Sequence, residues 1–382
     1  MREMRKYRDY LIERLSDPKK AIVHLQVVLE EYQNDGDTFI VLKAIQNVLE
    51  AQGEQSELTP HVYLLRGTVY HSQKEYERAI ADYNTALKLN PNNAEAYIYR
   101  GLVSHGRGDH DHAIEDFNKA IALNPDEAIF YNSRGVTYHE KGDYDRAIEN
   151  FTPAIELKPD DPLFYIHRGL AYYYKGDYDR AIADFNKAIT LDPNNTEAYK
   201  CRCLAYHRKG EIDLAIEEFA KVIALNPNDA TVYNYLGGIY SNKGELDRAI
   251  ANFDEAVVLN PNYAEAYYNR GTVYCNTGDY DRAISDFTQA IELNPNDLLF
   301  YIHRGLAYGV KGDYNRAIAD CNKAIALNPN CADVYENHWE EASHLEVPKE
   351  ASSDSATARD LGIHIIPPSH RVPENALSVN LF

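Results

Sequence analysis

The feature that most constrains the fold of this chain is a proline that recurs at one constant interval without a slip. It stands at Pro91, Pro125, Pro159, Pro193, Pro227, Pro261, Pro295 and Pro329. An insertion in one copy would break its fit to both neighbours, so a period this strict indicates units that stack on copies of themselves. We therefore expect an array, in which function belongs to a surface shared by several units rather than to one pocket.

Each unit is predicted to contain two helices. Residues 128–142 place aromatic residues and a glycine at spacings of four and three, which puts them on one face of a first helix. Gly142 ends this helix, and Asp143 can cap the next one. Residues 144–158 continue the helical spacing, and Pro159 ends the second helix. Below, the first helix of each unit is called helix A and the second helix B.

Small residues fill one set of positions in the eight copies and aromatic rings fill another, as close packing between helices requires. The small position of helix A holds Gly67, Gly101, Gly135, Gly169, Cys203, Gly237, Gly271 and Gly305. The ring position of helix B holds Tyr83, Phe117, Phe151, Phe185, Phe219, Phe253 and Phe287, and Cys321 takes its place in the eighth copy.

These positions, with a further aromatic at the start of helix A, resemble the tetratricopeptide repeat, whose period of about 34 residues the prolines match. The resemblance covers residues 60–331 as eight repeats, with Tyr where that family usually has Trp and Arg where it commonly has Leu. It implies an all-α fold, a right-handed superhelical solenoid of antiparallel helix pairs, with helices A on the inner wall. It also implies a role in binding peptides or proteins.

The recurrent arginine of helix A lies on the packing side, three residues after the aromatic. An acidic residue stands 16 positions later in helix B, which predicts a ladder of structural ion pairs. The predicted pairs are Arg66–Asp82, Arg100–Asp116, Arg168–Asp184, Arg202–Glu218, Arg270–Asp286 and Arg304–Asp320, whereas Arg134 faces Asn150.

One stretch of the array occurs twice. The sequence IELKPDDPLFYIHRGLAY at residues 155–172 recurs as IELNPNDLLFYIHRGLAY at residues 291–308, four repeats later. The array is therefore predicted to have grown by copying a block, which would provide two similar surfaces.

The two ends of the chain break the period. Residues 1–57 are predicted to form three helices, the second opening at Asp17-Pro18 and running to about Tyr32. The third, at residues 38–51, would bury Ile40, Ala44, Ile45, Val48 and Leu49. We interpret residues 1–57 as a helical cap on the array, residues 332–346 as a C-terminal capping helix and residues 347–382 as a flexible tail.

The N-terminal segment also resembles the opening helices of the addiction-module antidote proteins. A helix-turn-helix follows in that family, whereas Thr59-Pro60 begins the first repeat here. DNA binding is therefore not implied by the resemblance.

The chain has a formal net charge of −20, from 39 basic and 59 acidic residues. Such a surface repels nucleic acid and anionic membranes and favours basic partners. No apolar stretch approaches the length of a membrane span, and the cysteines follow neither paired nor zinc-type spacing. We therefore expect a cytoplasmic protein that binds neither nucleic acid nor membrane. The sequence does not specify its oligomeric state.

One face of helix A varies between repeats and is the candidate binding surface, which the resemblance places on the concave wall. Its apolar members are Ile98, Leu102, Ile129, Val136, Leu163, Ile166, Leu170, Tyr173, Leu204, Leu299, Ile302 and Leu306, and Lys200 is basic. An exposed apolar groove usually serves a partner, so we hypothesise a peptide or helix with apolar anchors and basic flanks. Alternatively, these residues pack between neighbouring helices A.

Histidines recur once per repeat at His71, His105 and His139. Neighbouring helices stand roughly 8–10 Å apart, too far for two imidazoles to share a zinc ion at about 2 Å each. No phosphate-binding glycine loop, nucleophile elbow or HExxH motif occurs. We therefore predict no metal, no cofactor and no catalytic residue.

The resulting prediction is a non-enzymatic protein-protein interaction scaffold that binds a peptide or helix in its concave groove. An alternative is a regulatory protein, antitoxin-like or transcription-associated, whose N-terminal module binds a partner while the array senses a peptide. A third interpretation, the substrate-binding half of a repeat-fused glycosyltransferase, would need a catalytic domain that does not follow Pro329.

Overall fold

The computed structural model describes residues 10–35, with side chains up to Val28, and then residues 38–53 and 56–329. In these segments every regular element is an α-helix, and none is a strand. The helices form two compact units, Met1–Pro193 and Asn194–Phe382. The predicted capping helix at 332–346 and the predicted tail at 347–382 lie outside the described residues.

The first unit opens with α1 (10–15), α2 (Pro18–Asp35) and α3 (Thr38–Gln52). Four helical pairs follow, which are α4 (Thr59–Ser72) with α5 (Tyr76–Leu89), α6 (Ala94–Gly106) with α7 (His110–Leu123), α8 (Ala128–Glu140) with α9 (Tyr144–Leu157), and α10 (Pro162–Lys175) with α11 (Tyr178–Leu191).

The second unit repeats the same arrangement four times. Its pairs are α12 (Thr196–Lys209) with α13 (Ile212–Leu225), α14 (Ala230–Asn242) with α15 (Leu246–Leu259), α16 (Ala264–Asn276) with α17 (Tyr280–Leu293), and α18 (Leu298–Val310) with α19 (Tyr314–Leu327). Each helix A packs on its own helix B. The predicted all-α array of helical pairs is confirmed.

The N-terminal helices share a core with the first repeat. Leu15 and Ile45 belong to a buried cluster that also contains Val62 and Val69 of α4. The start of α2 is as predicted, because the Asp17 carboxylate accepts a hydrogen bond from the Lys19 N–H at 3.0 Å.

The predicted buried face of α3 is partly wrong. Ala44, Ile45 and Val48 are buried as expected, but Ile40 is 44% exposed and Val41 is buried in its place. Leu49 is half-buried. Spacings of three, one and three residues from Val41 to Val48 define a single helical face, and Ile40 lies about 100° away from Val41.

The turns inside the repeats follow the prediction from glycine and aspartate. Gly142 has φ of 77°, a left-handed conformation that ends α8, and Asp143 Oδ1 accepts a hydrogen bond from the Arg146 N–H at 3.1 Å to cap α9. In the first repeat Lys74 takes the glycine's place, also with positive φ, at 61°.

The glycines of helix A accommodate the rings of helix B. A Cβ atom on Gly101 would lie 2.5 Å from the ring of Phe117, and Gly67, Gly135, Gly169, Gly237 and Gly271 meet a ring in the same way. Phe117 and its equivalents are almost completely buried. The ring therefore requires the glycine, as the sequence pattern indicated.

The predicted ladder of ion pairs is confirmed, and its geometry is bidentate. In Arg168, Nε and Nη2 each donate to a carboxylate oxygen of Asp184 at 2.8 Å. Arg134 donates instead to the amide oxygen of Asn150 at 2.6 Å. The hydrogen bonds that Arg168 donates to Asp184 raise the pKa of Arg168, whereas burial lowers the pKa of Arg134, which lacks a carboxylate partner in helix B.

The third guanidinium nitrogen reaches the helix B of the preceding repeat. Arg168 Nη1 donates to Thr152 Oγ1 at 3.3 Å, and Arg270 Nη1 donates to Asp254 Oδ1 at 2.7 Å. The same contact joins Arg100 to Asn84, Arg134 to Asn118 and Arg304 to Thr288. One arginine thus connects its own helix A to two helices B.

A second ladder, which the sequence analysis did not identify, joins the turn after helix A to the preceding helix B. Lys141 contacts Asp111 at 2.5 Å, and Lys243 contacts Asp213 at 3.0 Å. The pairs Lys175–Asp145 and Lys311–Asp281 repeat the contact at the same sequence separation. The aspartates are exposed, so solvent screens these pairs.

Candidate binding surface

The candidate anchors on helix A fall into three groups by exposure. Ile98, Ile166, Leu170, Leu204 and Ile302 are buried. Leu102, Val136, Tyr173, Lys200, Leu299 and Leu306 are half-buried. Ile129 and Leu163 are each 44% exposed.

Two of the buried anchors, Ile98 and Ile302, belong to the packing between repeats. Ile98 shares a core cluster with Phe117 and with Phe130 of the next helix A. Ile302 shares another with Tyr268 and Phe287 of the preceding repeat. At these two positions the side chains pack between neighbouring helices A, which is the alternative to a partner-binding role.

In other repeats, polar residues stand at the helix A position that Ile98 and Ile302 occupy. They contact the next helix A through hydrogen bonds. The Asn132 amide oxygen accepts from His167 Nδ1 at 2.8 Å, and Asn269 donates to Asn234 at 3.0 Å. Tyr268 OH lies 3.3 Å from His303 Nδ1. Partners in each pair belong to successive repeats at the same sequence separation, so this position of helix A faces the next helix A and not open solvent.

These inter-repeat contacts hold neutral histidines. Burial, with a smaller contribution from the neighbouring His139, lowers the pKa of His167 to about 4. Burial also lowers the pKa of His303, although its hydrogen bond to the Leu299 carbonyl oxygen opposes the shift. Both imidazoles are therefore uncharged at neutral pH and serve packing.

The exposed anchors occupy one position in two consecutive helices A. Ile129 and Leu163 are the second residues of α8 and α10, which are in contact. Glu127 precedes α8 and Asp161 caps α10, where its Oδ1 accepts from the Leu163 N–H at 3.0 Å. Each exposed aliphatic side chain therefore lies next to an acidic one.

Other repeats carry different residues at this position. They hold His61, Glu95, Glu197, Thr231, Glu265 and Leu299. Among these only Leu299 is apolar, and it is half-buried in the core cluster of the last two repeats. The exposed aliphatic pair is therefore confined to α8 and α10, and we call Ile129 and Leu163 the anchor pair.

A group of rings lies at the other end of the same helices. Tyr174, which is 39% exposed, has its centroid 5.1 Å from that of His139, 5.7 Å from Tyr144 and 5.2 Å from Tyr173. Of these four, only Tyr173 was among the candidates. The adjacent Tyr172-Tyr173-Tyr174 run was the available sequence signal for this aromatic surface.

Lys200 is neutralised by its neighbours. Its Nζ lies 2.8 Å from Glu197 and 3.5 Å from Asp229. Leu204, one turn along the same helix, is buried. A site for the carboxylate at a peptide terminus would need an unpaired positive charge. Lys200 is already paired with two carboxylates.

One group in the described part of the chain brings three potential metal-ligating side chains together. It consists of His105, His110 and Glu140, whose ligand atoms lie within 4.8 Å of one another. Histidines at like positions of successive repeats, such as His71, His105 and His139, do not reveal a cluster formed by unlike positions.

None of the described helices has both the length and the apolar composition that a membrane-spanning helix requires.

Family models match most of the chain. One described as tetratricopeptide repeat matches residues 264–297 and 299–331. Another described as TPR repeat matches residues 67–106, 105–142, 137–173, 169–210, 204–244 and 238–278. These matches begin at residue 67, so the resemblance of residues 1–57 to addiction-module antidote proteins stays a prediction. No curated protein matches the chain significantly.

Solved structures share the fold. A tetratricopeptide repeat protein from Parabacteroides merdae has a TM-score of 0.55 at 19% identity, over 65% of this chain and 98% of that one. The APC/C hetero-tetramer Cut9-Hcn1 has a TM-score of 0.50 at 22% identity over 79% of this chain, which spans 59% of its counterpart. Yeast Tom70 has a TM-score of 0.49 at 17% identity, over 90% of this chain and 92% of that one.

Proposed function

This chain belongs to the tetratricopeptide repeat family, and we propose that it is a non-enzymatic scaffold that holds a peptide or helix against its helices A. Tetratricopeptide repeats indicate a protein-protein interaction scaffold, and proteins built from them are generally not enzymes. The observation that carries the finer proposal is the anchor pair. Two aliphatic side chains, each 44% exposed, stand in the same position of adjacent helices.

The anchor pair suits a partner segment with two apolar side chains. Exposed aliphatic groups in a row usually serve a partner, because a partner removes them from water. Val136 and Tyr173 lie further along the same two helices and are half-buried, so they would extend the contact. Leu102 and Leu306 are also half-buried and remain candidates in their own repeats, whereas the buried Ile98 and Ile166 would support the surface from beneath.

Charge favours basic residues beside those apolar side chains. Glu127 and Asp161 adjoin the anchor pair, and the whole chain carries a net charge of −20. A lysine or arginine flanking the bound segment would approach these carboxylates, and the overall field would speed its association. The same field supports the proposal that nucleic acid and anionic membranes are not partners.

The N-terminal helices support a capping role. Leu15 and Ile45 share their core with Val62 and Val69 of the first repeat, as is expected of a module that covers the end of the array. We therefore keep the scaffold and not the regulatory alternative as the proposed function.

A peptide-binding experiment with a matched control tests the proposal. The probe is a displayed library of peptides with two aliphatic residues and lysine flanks, screened on the full chain. We expect Ile129→Ser with Leu163→Ser to weaken the selected peptide at least about tenfold, which corresponds to about 1.4 kcal/mol. Fluorescence anisotropy gives the dissociation constants.

The control is Leu123→Ser with Leu157→Ser. These leucines are 40% and 37% exposed, also one repeat apart and in the same unit, but they lie at the ends of helices B. The control should bind the peptide as the unaltered chain does. Equal weakening by both double variants, or a library that yields no binder, would contradict the proposal.

A further inference from the structure

His105, His110 and Glu140 come together from three helices. His105 lies in the last turn of α6, His110 is the first residue of α7, and Glu140 is the last residue of α8. His105 Nε2 is 3.4 Å from one Glu140 carboxylate oxygen, and His110 Nδ1 is 3.9 Å from the other. The cluster therefore joins the hairpin of the second repeat to helix A of the third.

The tautomer of His105 follows from its hydrogen bonds. The Thr137 hydroxyl donates its hydrogen to the Ser133 carbonyl oxygen at 2.9 Å, so Thr137 Oγ1 itself accepts a hydrogen bond from His105 Nδ1–H at 3.0 Å. In the neutral imidazole this leaves a lone pair on Nε2, which faces the Glu140 carboxylate. Two electron-rich groups at this distance repel each other unless a cation lies between them.

His110 provides a second, independent observation. Its Nδ1 atom is buried and has no hydrogen-bond partner. Buried polar atoms are rarely left in this state, and one that points at a carboxylate and another imidazole is satisfied by a shared cation.

The spacing fits a small divalent ion. Zinc binds imidazole nitrogen and carboxylate oxygen at about 2.0–2.2 Å with tetrahedral geometry, which separates neighbouring ligand atoms by about 3.3–3.6 Å. The observed 3.4 Å between His105 Nε2 and Glu140 is within this range, and the 3.9 Å between His110 Nδ1 and the other Glu140 oxygen is slightly longer. Two histidines and one glutamate form a set that zinc uses when its fourth position is open.

We propose that His105, His110 and Glu140 form a binding site for a zinc-class divalent cation, which ties the second repeat to the third. Thr137 is the outer partner that orients His105, the usual arrangement around metal-bound histidine.

The corresponding positions of the other repeats do not repeat this set. In the third repeat they hold His139, Tyr144 and Tyr174, whose rings pack on one another. In the first repeat they hold His71, Tyr76 and Gly106. The proposed site is therefore specific to one junction, and the neighbouring junction shows which residues can replace it without disturbing the fold.

Zinc titration of the chelator-treated full chain tests the site. Calorimetry should show one equivalent bound by the unaltered chain, and zinc should raise its melting temperature. His110→Tyr introduces the residue type that the third repeat has at this position. It should weaken zinc binding at the site by about a hundredfold or more. Glu140→Gln should have a similar effect. Thr137→Val should weaken binding about 10–100-fold, as expected for the loss of an outer-shell partner.

His112→Tyr is the matched control, because His112 lies on the same helix but is exposed and bonded to Asp109. It should leave the zinc equivalent and the melting shift unchanged. If the unaltered chain binds zinc no more tightly than His110→Tyr and Glu140→Gln, the proposal is wrong. It is equally wrong if His112→Tyr weakens binding as much as they do.

Discussion

The fourth and eighth repeats have almost the same helix A but different surroundings. Residues 162–172 and 298–308 differ only at the first position. Even so, His167 bonds to Asn132 at 2.8 Å, whereas His303 contacts Tyr268 and the Leu299 carbonyl oxygen. The difference comes from the preceding repeat, which supplies an asparagine in one case and a tyrosine in the other. In this fold a side chain's environment depends on the neighbouring repeat as well as its own.

The two repeats also differ inside their hairpins. A Cβ atom on Gly169 would lie 2.6 Å from the Phe185 ring, but one on Gly305 would lie 3.4 Å from its nearest neighbour, the Ala317 carbonyl oxygen. The eighth repeat has Cys321 where the fourth has Phe185. Packing against the ring therefore requires a glycine at position 169. At position 305 no ring excludes a Cβ atom.

The largest expected effect comes from removing the ring. Phe185→Ala should lower the free energy of unfolding by about 3–5 kcal/mol, since the ring is fully buried. Cys321→Ala removes a single sulfur atom and should cost about 1 kcal/mol. Urea unfolding measures the loss, and hydrogen exchange in each repeat locates it. Equal losses would show that the two hairpins are packed alike.

Alanine at the two glycines should have effects of different size. Gly169→Ala forces the Phe185 ring to move and should destabilise the chain by about 1–3 kcal/mol. Gly305→Ala meets only ordinary contacts, so its better helix propensity should leave stability unchanged or raise it by up to about 1 kcal/mol. Paired thermal melts compare the variants, and a marked loss for Gly305→Ala would count against the packing difference.

The last expected effect concerns acid stability. The pKa of His167 is lowered to about 4, below its ordinary value of 6.5, so the unfolded chain takes up this proton more readily. Its contribution is complete above pH 6.5 and is lost as the pH falls towards 4. His167→Asn, which copies the Asn234–Asn269 pair, should flatten the fall in melting temperature over that range. His303→Asn should act in the same direction, because burial also lowers the pKa of His303. Unchanged acid profiles in both variants would contradict the assignment.

The sequence predicted the features that depend on one repeat. The helices, the turn at Gly142 and Asp143, and the Arg168–Asp184 pair all follow from fixed spacings within a single repeat. Comparing eight copies in one chain also separated small positions from ring positions. Such features could be predicted because every copy has the same local sequence pattern and forms the same contacts within its own helical pair.

Features that depend on the neighbouring repeat were predicted less well. Leu163 and Ile166 are three residues apart on one helix, yet the first is exposed and the second is buried. The group formed by His110 and Glu140 was missed for a related reason. Its members occupy unlike positions of two repeats, and a comparison of like positions does not bring them together.

The forked contact of the arginines has a consequence for how such a chain can vary. Each guanidinium of this kind holds a residue 16 positions ahead and another 16 positions behind, as Arg168 does with Asp184 and Thr152. A single inserted residue in either flanking helix would turn an acceptor by about 100° and break one arm of the fork. Gains and losses of whole repeats keep both arms, so changes of length by complete units preserve these contacts.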